Sequence, residues 1–86
     1  MRVTIIPSDS VVSIDGFAKQ VDLSFMLPEI HAVQWYDDHG DIEYKNPFTG
    51  LMTENEAFTD ISRFQQAIDA WNAVPTPDPV VTSEQM

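Results

Sequence analysis

Asp37, Asp38, His39, Asp41 and Glu43 crowd five potential metal ligands into one short stretch, the densest such cluster in the chain. Three Asp side chains near a turn suit a hard cation such as calcium or magnesium. The spacing lacks the alternating ligands, central glycine and distal bidentate Glu of an EF-hand loop, and a single His is too few for zinc. Turn formation alone selects the same residue types, because they tolerate positive φ and stay hydrated. The expectation is therefore a solvated hairpin tip without a metal. His31 could pair with Glu29, Asp22 or Glu54, but acid–base catalysis also needs a pocket and a group that positions substrate. Ser8, Ser10, Ser13, Ser24, Ser62 and Ser83 sit in no nucleophile elbow, and three glycines form no phosphate loop. These residues make no case for an enzyme, and no cofactor is expected.

The elements that position this cluster are clearer than any chemistry it performs. Across Ile30 to Asn46, apolar and polar residues alternate on both sides of a polar centre, the pattern of a β-hairpin with one buried face. An even loop centred on His39-Gly40 sets Trp35 opposite Tyr44 and gathers Val33, Trp35, Ile42 and Tyr44 on one side. Gln34, Tyr36, Glu43 and Lys45 then face outward. An odd loop with a bulge at Gly40 would instead pair Tyr36 with Ile42; the even register is preferred because it concentrates the apolar load.

A hairpin needs further strands or a helix on its apolar side. Arg2 to Ile6 and Val11 to Ile14 are apolar and β-branched around Pro7 and a polar turn, and Asp15-Gly16 leads into a third strand over Phe17 to Leu23. In that strand Phe17, Val21 and Leu23 are expected on one face. Phe25-Met26-Leu27 reads as a core plug before Pro28. Asn46-Pro47-Phe48-Thr49-Gly50 is a turn, and Leu51 to Thr53 a short edge strand. From Ile61 to Val74, the apolar residues Ile61, Phe64, Ala67, Ile68, Trp71 and Val74 form one helical stripe, with Asp60 as N-cap, Ser62 and Gln65 as a competing capping box, and Pro75 as the stop.

The fold expected is α+β: a small antiparallel meander and hairpin sheet of four to five strands, with one C-terminal amphipathic helix on one face. It fills one domain, residues 1–74, followed by an extended Pro-rich tail over 75–86.

Composition limits the partners. The chain is 43% hydrophobic, lacks Cys, and carries fourteen acidic against four basic residues, a net charge of −10. Such a field repels nucleic acid and anionic membranes. The apolar run before Pro7 is too short for a signal-peptide core or a membrane span, so a protein that stays where it is made is expected. Protein surfaces remain as partners. Tyr36, Phe48 and Phe58 are expected to be more exposed than Trp35 and Trp71, and exposed aromatics supply interface anchors.

Three segments, RVTIIPSDSVVSIDG, VDLSFMLPEIHAVQWYDDHGDIEYKNPFTG and TDISRFQQAIDAW, together resemble a family of small proteins from the tail modules of tailed bacteriophages and prophages, the tail and tail-fibre assembly proteins. The resemblance covers roughly residues 2 to 74. It departs at Pro75, where similar proteins often continue the helix. It implies a non-enzymatic role in the bacterial host cytoplasm, as a chaperone or minor tail component that binds a tail or tail-fibre protein. The binding surface then expected is the outer side of the hairpin: Gln34, Tyr36, Glu43 and Lys45, with Phe48 in the adjoining loop. The alternative expectation is an acidic phage-encoded inhibitor of a host defence nuclease that imitates the phosphates of a nucleic acid.

Overall fold

The computed structural model describes residues 1–75, so all but the first residue of the expected tail lies outside the described residues. The fold is α+β, as the sequence suggests, but the antiparallel sheet has six strands rather than four to five. They are β1 (Arg2–Ile6), β2 (Val11–Ile14), β3 (Phe17–Gln20), β4 (Ile30–Tyr36), β5 (His39–Tyr44) and β6 (Glu56–Phe58), in the order β3-β2-β1-β4-β5-β6. Two three-stranded meanders thus lie side by side, joined where β1 pairs with β4.

One helix covers one face. The segment read as uniformly helical begins with a 3-10 turn, Ile61–Phe64, and continues as α1 (Gln65–Ala73). Asp60 is the cap: its carboxylate accepts from the Ser62 amide at 3.0 Å, so the competing Ser62 and Gln65 box is not used. On the covered face every second residue is buried, with Val3 and Ile5, Val12 and Ile14, Val33 and Trp35, and Ile42 all inside. Phe64, Ala67 and Ile68 close over them. The helical segment crosses the sheet from β6, where Phe58 and Phe64 meet edge to face at 5.3 Å, to β3, where Lys19 and Phe17 bind its far end.

The hairpin keeps its predicted faces but not its predicted turn. Asp37 and Asp38 make the turn, with Asp37 at φ +60°, so Trp35 lies opposite Gly40 rather than Tyr44. Moving an even loop by two residues preserves side-chain parity, so Val33, Trp35 and Ile42 still face the core. Gly40 is therefore a strand residue, and the rings of Trp35 and Phe58 meet over it with centroids 5.2 Å apart. A bulge at His31, between Ile30 and Ala32, shifts the alternation so that Ile30 is buried and His31 half-buried.

Other expectations are corrected by position within the sheet. Phe58 is only 6% exposed, because it lies on β6 over Gly40 and packs on two aromatic rings. Phe17 shares the core side by register, yet it sits at the outer corner of an edge strand and is 62% exposed. The third strand ends at Gln20, and Lys19 is its buried side chain. Only Met26 of the Phe25-Met26-Leu27 plug packs against the core, while Leu51 to Thr53 contributes one bridge, Met52 to Lys45, and no strand.

Candidate interaction surface

The chain leaves β5 through a loop whose own polar groups set its conformation. Asn46 organises it: its side-chain oxygen accepts from the amides of Phe48 and Thr49 at 2.9 and 3.2 Å, and its carbonyl accepts from Gly50 at 2.8 Å. The Asn46 amide donates in turn to the Leu51 carbonyl at 2.8 Å. Gly50 takes φ +75°, a conformation that glycine adopts without penalty. Every one of these bonds is local, so the short loop defines its own shape.

What the loop presents is apolar. Phe48 is 95% exposed at its tip, and Leu51 and Met52 are exposed beside it. The loop before β4 adds exposed Phe25 and Leu27 at the same end of the sheet. The two loops are tied together where the Lys45 amide donates to the Glu29 carbonyl at 2.8 Å, and Leu27 and Lys45 line one shallow groove of about 210 Å3. A second groove, of about 230 Å3, opens between Phe25, Met26, Ile30, Arg63, Phe64 and Gln66.

The outward hairpin residues named from sequence do not form one patch. From His39, which pairs with Tyr36, to Lys45 is six residues, about 20 Å of extended strand. At the turn end, Tyr36 stacks on His39 and lies under the Arg2 guanidinium at 4.3 Å, while Gln34 accepts from Thr4 at 3.0 Å and from Arg2 at 3.4 Å. The Gln34 side-chain oxygen and the Tyr36 ring are thus already engaged within the chain. Glu43 lies midway, opposite Ala32, and Lys45 stands at the base of the Phe48 loop. Phe48 and Lys45 belong to the apolar end. Sequence reasoning missed Phe25, Leu27, Leu51 and Met52; the one available signal was the Asn-Pro-Phe-Thr-Gly turn, which requires an exposed tip.

The acidic cluster is divided among separate tasks. Asp37 pairs with the Met1 amino group, and Asp38 contacts His39 Nδ1 at 2.7 Å, which holds the Asp38 carboxyl below its usual range. Asp41 and Glu43 point outward from β5. Among the described residues, no three His, Asp or Glu side chains converge as metal ligands. His31 makes no hydrogen bond with Asp22, Glu29 or Glu54; Asp22 instead accepts from the Ser24 amide at 2.9 Å.

A polar triad stands beside the larger groove. Tyr44 donates its hydroxyl to Glu56 at 2.6 Å, and Arg63 donates to the other Glu56 oxygen at 3.0 Å. Both bonds favour the charged carboxylate and keep Glu56 below its ordinary value, whereas Tyr44 is pushed up because its proton is shared with Glu56.

No family model, known protein or solved structure matches the chain. Among the described residues no helix is long and apolar enough to cross a membrane.

Proposed function

We propose that this chain is a non-enzymatic protein-binding module of the phage tail or tail-fibre assembly type, acting as a chaperone or minor tail component. The observation that carries the proposal is Phe48, 95% exposed on a loop stiffened by Asn46. An aromatic ring held out on an ordered loop loses little entropy when it docks, and such rings dominate the energetics of interfaces. The contact surface is the apolar end, with Phe48 at its centre, Leu51, Met52, Leu27 and Phe25 around it, and Lys45 at its base. This moves the expected surface from the middle of the hairpin to its end.

The family resemblance supplies the partner class, a tail or tail-fibre protein in the host cytoplasm, and the net charge of −10 favours a protein over nucleic acid or membrane. Fibre chains expose apolar strands before they trimerise, and a soluble acidic domain bound there prevents wrong pairings. Phosphate imitation by the sheet would need aligned carboxylates, but its open face carries only Asp41 and Glu43.

Co-expression with a bacteriophage tail-fibre gene tests the proposal. The yield of trimeric fibre should fall when this chain is omitted and when Phe48→Ala replaces it. Equal yields in all three cases would refute the chaperone role. Recovery of the chain from purified particles would assign it to the tail itself.

A further inference from the structure

We propose that a second copy of this chain covers the apolar end, with Phe48 of each protomer seated in the other's groove between Phe25, Ile30 and Phe64 about a twofold axis. The groove measures about 230 Å3, the space of roughly eight waters, which suits one large side chain. Its lining is apolar on most sides. Arg63 supplies one wall, its guanidinium 5.7 and 5.8 Å from the Phe58 and Phe64 ring centres, so an incoming ring joins an existing cation–aromatic stack. Among the described residues Phe48 is left almost wholly uncovered.

Knob and groove lie at one end of the molecule. Ile30, which lines the groove, pairs with Tyr44, and the amide of Lys45, three residues before Phe48, is bonded to Glu29. With projection and recess at the same end, a twofold axis is the arrangement that seats each ring in the other's groove and closes; placed at opposite ends they would build a filament. Phe48, Leu51, Met52, Leu27 and Phe25 are exposed, and covering all of their free surface would bury at most on the order of 600 Å2 per copy, about 1,200 Å2 for the pair, the lower edge of specific interfaces. The dimer is accordingly weak. Each copy carries −10, so repulsion opposes pairing and salt strengthens it, the reverse of an acidic protein binding a basic partner. Use of the pairing to guard the docking end rests on the function proposed above, whereas the pairing itself is measured without a partner.

Sedimentation equilibrium of the full chain, from about 1 to 200 µM and in about 50 and 500 mM NaCl, provides the test. The expected result is a monomer–dimer equilibrium in the micromolar range that tightens several-fold at the higher salt. Phe48→Ala should weaken it about tenfold or more, and Phe25→Glu, at the rim of the groove, comparably. Asn46→Ala keeps the ring but loosens its loop, and should weaken pairing about three- to tenfold. A monomer at every concentration, a dimer indifferent to Phe48→Ala or Phe25→Glu, or one that dissociates as salt rises overturns the proposal. A monomer that still rescues fibre assembly would remove the pairing and leave the docking role; a dimer with no effect on fibres would do the opposite.

Discussion

The ammonium group of Lys19 lies 3.7 Å from the centre of the Trp71 ring and donates to the carbonyls of Trp71 and Val74 at 3.1 and 2.5 Å. The indole returns a bond from its Nε1 to the Phe17 carbonyl at 2.8 Å, so edge strand and helix end hold each other at two points. A cation on the last carbonyls of a helix satisfies orphan acceptors and opposes the negative end of the dipole.

Lys19→Met keeps the buried stem but removes the donors and the charge. It should destabilise the fold by about 1–3 kcal/mol, the range for charged hydrogen bonds plus a cation–aromatic contact, less the relief of desolvation. Urea unfolding followed by tryptophan fluorescence measures this. An unchanged midpoint would show that the helix end is held by apolar packing alone.

Gly40→Ala tests the close approach in the middle of the sheet. An added Cβ would collide with the Gln34 carbonyl oxygen and lie 2.8 Å from the Phe58 ring and 3.0 Å from that of Trp35. Because backbone and two packed rings would all have to move, the loss should be about 3 kcal/mol or more. Thermal melting checks it; a change below about 1 kcal/mol would mean that the rings do not meet over Gly40.

Stability should be flat near neutral pH and fall on both sides. Glu56 and Asp60 titrate below their ordinary values of 4.5 and 3.8 in the folded chain, the first held by Tyr44 and Arg63, the second by Ser62. Their contributions are complete above those values and disappear as pH falls through the lowered ones. Tyr44 is raised from 10.0, chiefly by Glu56, so its contribution is complete below that value and disappears as pH rises through the raised one. Melting temperatures across pH, for the native chain and for Glu56→Gln, should show both slopes become shallower in the variant. Unaltered slopes would exclude the triad as their source.

Phe48→Ala should leave folding stability within about 0.5 kcal/mol of the native chain, because among the described residues the ring is 95% exposed. Circular-dichroism melts provide the check. A large loss would place Phe48 in the fold and remove it as a surface anchor.

Local patterns carried most of the architecture. Alternation in Val33, Trp35 and Ile42 determined which side of the hairpin is buried, since a period of two holds wherever an even turn falls. The three- and four-residue spacing from Ile61 to Trp71, with Asp60 before it, determined a capped helix, because capping and amphipathicity are properties of neighbours in the chain. The Asn46 turn was legible for the same reason: its bonds all close within a few residues.

What the tertiary structure alone decided involves partners distant in sequence. Glu56–Phe58 is too short to announce itself as a strand and becomes one only because β5 offers an edge. Lys19 reads as a surface residue until the end of α1, more than fifty positions later, comes to rest on it. Gly40 reads as a turn until the two rings above it show why no side chain fits. The apolar end has the same origin: Phe25, Leu27, Phe48, Leu51 and Met52 lie in two loops that meet only because β4 and β5 pair, and burial depends on which surfaces the completed sheet leaves uncovered.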